Sequence, residues 1–272
     1  MGARSGIGRL VLDRLVDAGC PVRASTRRPE PGQFPEGLNV AAADLTDRSS
    51  LDAAFAGIAQ VFLFANHDGV DAVIGAAQSA GVERIVLLSS GSVIHPSSAG
   101  NRITEEHREV EQALESAGGF SVVPIRPLVL ATNTLGWSHP IKTTGGVSIY
   151  RPDALTAPVH EADVAAVAVA ALTGSNAVSG ILTGPYQMTQ RAQAAAISDA
   201  IGQQISVVEL SREEAAANFT RFMPAWEAEA VLQFLDDAAA GNSGVTDTVE
   251  TVVGHAALSF AEWAVDHRGS FR

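Results

Sequence analysis

The first residues with chemistry in them are the glycines that open the chain. Gly2-Ala3-Arg4-Ser5-Gly6-Ile7-Gly8 has the make-up of a tight turn whose backbone can approach an anion closely. A helix pattern follows at once, Gly8 to Ala18, with Ile7, Leu10, Val11 and Leu15 along one face and Gly19 placed to end it. A helix N-terminus behind such a turn presents free N–H groups and a positive dipole end to a phosphate or pyrophosphate. Read alone, the seven residues are an ordinary loop; the amphipathic helix behind them favours the nucleotide turn. Further on, Ser89, Ser90 and Ser92 close an apolar run and supply hydroxyls, and His107 supplies an imidazole for proton donation.

Which nucleotide is meant depends on the end of the next extended run, Pro21 to Thr26. An acid there holds the ribose hydroxyls of NAD, whereas arginine accepts the 2′-phosphate of NADP. The sequence gives Ser25-Thr26-Arg27-Arg28 and no acid before Glu30, so NADP, bound as NADPH in preference to NADH, is expected. Arg4 in the turn could add a second positive group, and a plain solvated arginine pair is the alternative. Asp44 could accept the adenine amino group or merely cap the turn Asp44-Leu45-Thr46-Asp47. Ala65 and Asn66, after the run Val61 to Ala65, are expected to line the cofactor.

These residues need a scaffold that brings strand ends together. Val61 to Ala65 and Arg84 to Leu88 are apolar throughout, as strands covered on both faces are, and Leu38 to Ala43 and Ser121 to Ile125 add further strand candidates. Between them lie helix patterns at Leu51 to Phe55, Val70 to Ala80 and Glu105 to Ala117, with Asp47, Ser49 and Ser50 available as N-caps. Strand–helix alternation with short connections predicts an α/β fold with a parallel sheet. The second half is less regular, with helices expected near 161–173, 189–201, 211–218, 224–239 and 259–266 and extended runs near Val147, Ile181 and Val207. Residues 1–130 read as the nucleotide-binding core and 131–272 as a substrate-side region of one compact unit. A nucleotide turn ordinarily follows a buried strand. Only Met1 precedes Gly2, so the expectation is a chain shortened by about six to eight residues, one strand's length.

Composition narrows the function further. Thirty acids against eighteen bases, a formal net charge of -12, argue against a protein that lives on nucleic acid. No apolar run approaches the ~18–20 residues of a membrane-spanning helix, no secretory signal opens the chain, and Cys20 stands alone, which fits a reducing cytoplasm. His67, His95, His139, His255 and His267 show no ligand spacing, and His160-Glu161-Ala162-Asp163 reads as acids at a helix start, so no metal is expected. No G-x-S-x-G elbow supports a hydrolase.

Taken together, these residues resemble the short-chain dehydrogenases/reductases. The turn is similar to theirs, although its spacing is nearer to the typical branch. The longer pattern resembles the atypical, NmrA-like branch, carried by Val22-Arg23-Ala24-Ser25-Thr26-Arg27, Asp44-Leu45-Thr46-Asp47, Ile85 to Ser90, Glu111-Gln112-Ala113-Leu114, Ile125-Arg126-Pro127, Asn133-Thr134 and His160 to Asp163. Leu182-Thr183-Gly184-Pro185 and Phe260-Ala261-Glu262-Trp263 match as well. The resemblance implies a Rossmann-like doubly wound sheet, a bound nicotinamide dinucleotide, and reduction of quinones or other conjugated or carbonyl compounds. Some relatives instead bind NADP(H) as redox sensors that regulate a protein partner, which is the alternative reading.

Typical members of the group use a tyrosine acid with a lysine four residues on. That pair is absent: Tyr150 and Tyr186, the two tyrosines, are followed at that spacing by Ala154 and Gln190, and Lys142 is the sole lysine. Ile103 and His107 stand where the pair would be. The resemblance makes Ser90 the counterpart of the family's catalytic serine, with Ser89 and Ser92 as competitors. His107 is then the candidate proton donor or a solvent-facing side chain. Asn133 and Trp137, with Leu135 and His139 nearby, fall where the substrate pocket should be bordered, and Trp137 fits a core position equally. The expected partner is a small-molecule substrate, not nucleic acid or a membrane, with a homodimer or a regulatory protein left open.

Overall fold

The computed structural model describes residues 2, 3, 6–174 and 178–272. Arg4 and Ser5, both candidate cofactor ligands, lie outside the described residues.

In chain order, α1 (Gly6–Asp17) leads to β1 (Arg23–Thr26) and β2 (Asn39–Ala42), then α2 (Arg48–Phe55), β3 (Gln60–Phe64), α3 (Val70–Ala80), β4 (Arg84–Leu88), α4 (Arg102–Ala117) and β5 (Ser121–Pro127). There follow α5 (Ser138–Thr144), β6 (Gly146–Tyr150), β7 (Leu155–Thr156), α6 (Glu161–Thr173), β8 (Ile181–Leu182), β9 (Met188–Thr189), α7 (Gln190–Ile201), β10 (Ser206–Leu210), α8 (Arg212–Phe219), α9 (Ala225–Ala239), α10 (Thr248–Val253) and α11 (Phe260–Asp266). The chain divides into two compact units, one of Met1–Val93, Glu106–Arg126 and Glu161–Gly180, the other of Ile94–Glu105, Pro127–His160 and Ile181–Arg272.

All strand pairs described in the first unit are parallel, as the strand–helix alternation predicts. β1 pairs with β2, Arg23 opposite Asn39 through Thr26 opposite Ala42. β4 lies between β3 and β5, with Gln60 opposite Arg84 and Arg84 opposite Ser121 at the leading ends. Alternation along these strands sorts the core. Val61, Leu63, Ile85 and Leu87 pack against Leu51 and Phe55 of α2, Val73, Ala76 and Ala77 of α3, and Val110 and Leu114 of α4. α6 lies against α1, β3 and β4. It buries Val164, Ala165, Val167, Ala168 and Ala171, so most of its circumference is apolar, as a helix inside a core requires. The Arg84 guanidinium donates to the carbonyls of Ala171 and Gly174 at 2.9 and 2.6 Å, satisfying groups that the end of α6 leaves open.

The second unit has a different core. β6 and β10 pair in parallel from Gly146 opposite Ser206 to Tyr150 opposite Leu210, and β7 pairs antiparallel with β9. Val147, Ile149, Ala194, Ile197, Ile201, Phe260, Trp263 and Phe271 form its centre. Trp263 stacks on His267 with ring centroids 4.5 Å apart. α11 begins with a reciprocal cap in which Ser259 and Glu262 bond each other's backbone N–H.

Candidate active site

The residues expected to hold the cofactor lie in the first unit, at and beyond the ends of β1, β3 and β4. Gly2 has a φ of 77°, and a Cβ there would lie 2.6 Å from the Phe64 ring. Only glycine fits both the left-handed backbone and the close approach. Ala3 donates its N–H to the Ser25 carbonyl at the end of β1 (3.4 Å), so the turn is tied to that strand. Gly6 starts α1 with no acid in its first turn, leaving the positive helix end unneutralised. Ile7 is buried and anchors this end of the helix in the core.

Arg27 and Arg28 follow β1 and are both exposed. The bend after them is held from below by Arg9, which donates to the Gln33 carbonyl (3.2 Å) while clasping Asp13 one turn along its own helix (2.8 Å). Arg27 acts electrostatically on Asp44. That carboxylate accepts the N–H of Thr46 (3.0 Å) and its hydroxyl (2.8 Å), which with Arg27 hold its pKa below the ordinary carboxylate value. Of the two readings of Asp44, turn capping is the one the geometry displays. Asp47 caps α2 through the N–H groups of Ser49 and Ser50. Leu45 is half-buried and packs its side chain on the core.

After β3 the Ala65 N–H is already donated to the Leu88 carbonyl (3.0 Å). Asn66 accepts the Gly69 N–H through Oδ1 (2.8 Å) and shapes the approach to α3. A Cβ on Gly69 would sit 2.4 Å from the Leu45 carbonyl oxygen, so glycine lets this loop and the Asp44 turn rest on each other. His67, next in line, meets Glu109 of α4 with 2.8 Å between Nε2 and Oε2. Nothing in the sequence signals this pair, because its members are far apart in the chain and unremarkable singly.

β4 delivers the serines. Ser89 donates its N–H to the Ile125 carbonyl (2.8 Å), and its hydroxyl is buried without a hydrogen-bond partner among the described residues. A buried orphan hydroxyl costs free energy unless a ligand or water satisfies it. The Ser90 and Ser92 hydroxyls are 2.8 Å apart, and Ser92 also points its N–H at Ser90 Oγ. The three serines are therefore not equivalent: Ser90 is half-buried and supported by Ser92, while Ser89 faces inward.

α4 begins a turn earlier than its periodicity indicated, at Arg102, and its Ile103 and His107 are both half-buried. One turn beyond His107, Glu111 makes a two-pronged ion pair with Arg126 of β5, at 2.9 and 2.5 Å. Arg108 donates to the Val93 carbonyl beyond the serines (3.1 Å), so α4 is bolted to the segment that carries them.

In the second unit, Asn133 is exposed and Trp137 half-buried, both in a 3-10 segment, Ala131–Trp137, that precedes α5. Trp137 and Leu135 pack against the unit's core, in line with the structural alternative for the tryptophan. At the end of β6, Tyr150 donates to Asp236 (2.6 Å), which also takes Arg151 (2.9 Å) and Arg212 (3.3 Å).

The residues present suit a nicotinamide dinucleotide. Gly2 sets no side chain in the turn, the first turn of α1 carries no acid that would repel an anion, and the Ser89 hydroxyl is buried without a partner among the described residues. The comparisons agree. Residues 2–175 match the model of the NAD(P)H-binding family, and the chain belongs to that family. It is 37% identical to a (4-alkanoyl-5-oxo-2,5-dihydrofuran-3-yl)methyl phosphate reductase of Streptomyces griseus, over 99% of this chain and 97% of that protein. It is 30% identical to an NAD(P)H azoreductase of Xenophilus azovorans, over 100% and 98%. Its fold is that of an NADPH-dependent quinone oxidoreductase from Escherichia coli, with a TM-score of 0.82 and 23% identity over 97% of both chains. The protein is an NAD(P)H-dependent reductase with a Rossmann-like α/β fold. Among the described residues no helix is long and apolar enough to cross a membrane.

Proposed function

We propose that this reductase uses NADPH to reduce a small conjugated acceptor, an unsaturated lactone or a quinone, at a site whose reacting hydroxyl is Ser90. The observation that carries the reading is the Ser90–Ser92 hydroxyl pair, in a chain whose α4 bears Ile103 and His107 instead of a tyrosine and lysine. An alcohol or sugar oxidation needs a strong, tuned acid–base pair. A conjugated acceptor needs only a hydrogen bond to its oxygen, because the charge that develops is spread into an enolate or quinol oxygen. The name of the Streptomyces griseus relative describes such an acceptor, a ring whose double bond is conjugated to a lactone carbonyl.

When bound, the dihydronicotinamide supplies the hydride. Backbone N–H groups at Gly2, Gly6 and Ile7, with Arg4 and Ser5, would hold the pyrophosphate, and Arg27 and Arg28 the 2′-phosphate, which makes NADPH the preferred form. Leu45 and the Asp44 turn would flank the adenine, while Ala65, Asn66 and Ser89 would line the way to the nicotinamide. Ser90 Oγ would donate to the acceptor oxygen, its own rotamer set by Ser92. His107 would return the proton that completes reduction.

The test is NADPH oxidation with three probes: an α-acyl butenolide, a benzoquinone and the saturated lactone. Turnover with the first two and none with the third is expected, with Ser90→Ala losing kcat but keeping NADPH affinity. Tight NADPH binding without turnover on either conjugated probe would overturn the proposal.

A further inference from the structure

The loop after β1 ties up its first acid in a turn. Glu30-Pro31-Gly32-Gln33 has proline at the second place and glycine at the third, the pattern of a type II turn. Gly32 has the left-handed φ of 79° that this turn requires, and the Gln33 N–H donates back to the Glu30 carbonyl (3.3 Å). A closed turn sets its first and fourth residues side by side. Here their side chains meet as well, with Gln33 donating through Nε2 to Glu30 Oε2 (2.8 Å).

The turn is braced from α1. Arg9 donates through Nη1 to the Gln33 carbonyl (3.2 Å), while its Nε is shared between the two oxygens of Asp13 at 2.8 and 2.9 Å. Phe34, the next residue, packs with Leu12, Val22 and Ala24, so the chain is pinned immediately beyond the turn. Gln33 carries a cost in this arrangement, because its Oε1 is buried with no hydrogen-bond partner among the described residues. An apolar side chain of the same length would avoid that cost. What the amide adds is its hold on Glu30.

That hold matters because of the residues just before it. Arg27 and Arg28 are exposed, and Glu30 is the acid nearest to them in the chain, with Pro29 alone between it and Arg28. Among the described residues neither arginine makes an ion pair with Glu30, whose carboxylate is taken by Gln33. A released carboxylate would compete with a 2′-phosphate for a guanidinium and would repel the phosphate as well. A cofactor without that phosphate would be indifferent to both effects. We propose that the Glu30–Gln33 turn, braced by Arg9, is a selectivity device for NADPH. Gln33 and Arg9 are positioning residues that keep the Glu30 carboxylate engaged and so leave Arg27 and Arg28 to the 2′-phosphate. The inference rests on the reading that these two arginines receive that phosphate.

Cofactor affinity, read by fluorescence titration without any acceptor, tests it. Gln33→Met frees Glu30 and should weaken NADPH about threefold to tenfold while leaving NADH unchanged. The melting temperature should hold or rise, because the orphaned amide oxygen is gone. Adding Glu30→Gln to that variant should restore the NADPH affinity, a recovery that a merely structural role for Gln33 does not give. Arg9→Met, which removes the brace, should shift the selectivity in the same direction. An unchanged ratio of NADPH to NADH affinity in Gln33→Met, or a loss that Glu30→Gln does not reverse, overturns the proposal. The double variant Arg27→Ala/Arg28→Ala separates this failure from that of the reading beneath it. If it abolishes the NADPH preference while Gln33→Met leaves it intact, the turn's role alone falls. If it keeps the preference, the phosphate site and this inference fall together.

Discussion

Replacing Glu111 by alanine should destabilise the first unit severely, and the size of the effect follows from burial. The Glu111 side chain is 4% exposed and its partner Arg126 14%, and the guanidinium fork meets both carboxylate oxygens. Removing the acid leaves a nearly buried cation with no counter-charge, a loss of about 3–5 kcal/mol. For a chain of this size that lowers the melting temperature by on the order of 10 °C. The double variant Glu111→Leu/Arg126→Met removes the charge and its desolvation cost together, and should recover most of the loss. Urea titrations of the parent, both single variants and the double close a thermodynamic cycle. Arg126→Lys should fail to substitute, because an ammonium cannot reproduce the fork. A Glu111→Ala loss under about 1 kcal/mol, or a double variant as unstable as the two singles summed, would refute the argument.

Other consequences concern cofactor, turnover and pH. Arg27→Ala should weaken NADPH roughly tenfold or more while leaving NADH nearly unchanged, measured by fluorescence titration; equal loss for both would misplace the 2′-phosphate. Gly2→Ala should weaken either cofactor and lower stability by about 1–2 kcal/mol, since its Cβ would meet Phe64 in a left-handed backbone. In the second unit, burial alone would raise the Asp236 carboxyl, but hydrogen bonds from Tyr150, Arg151 and Arg212 hold it below the ordinary carboxylate range. Its stabilisation is therefore present above that range and lost as pH falls through the lowered value. Tyr150, pushed up by burial and by Asp236, adds stability that is full below the ordinary tyrosine pKa of about 10 and fades as pH rises through the raised one. Asp236→Asn should flatten the acid slope in melting curves taken from about pH 5 down to about pH 2, whereas an unchanged slope would assign it to other carboxylates.

How much of this could be read from the sequence depended on how local each signal was. α3 and β4 fall where their patterns put them, because continuous apolar runs and a terminal Gly81 need no distant partner to be recognised. α5 went unseen. It is one short helix around Ser138-His139-Pro140, too brief for periodicity, and is ended by Gly145 in the left-handed conformation. The glycine turn and the arginines after β1 are contiguous in the chain, so the expectation placed on them needs no fold to state it. The Asp44 question stayed open in the sequence, since capping Thr46 and meeting an adenine call for the same residue. What the sequence hid were pairs made by folding: Glu111 with Arg126, His67 with Glu109, and Tyr150 with Asp236. The orphaned Ser89 hydroxyl was equally invisible, because only burial distinguishes it from Ser90 and Ser92.

The proposed hydride transfer from NADPH to a conjugated acceptor beside Ser90 leaves an isotopic record. The most direct measurement uses NADPH deuterated at the transferring carbon with an α-acyl butenolide, followed by mass and NMR analysis of the product. A single deuterium is expected on the carbon β to the carbonyl, from one face of the cofactor only, at a rate that Ser90→Ala lowers about tenfold to a hundredfold. A reduced product without the label at that carbon, or cofactor that stays unoxidised while bound, would contradict it.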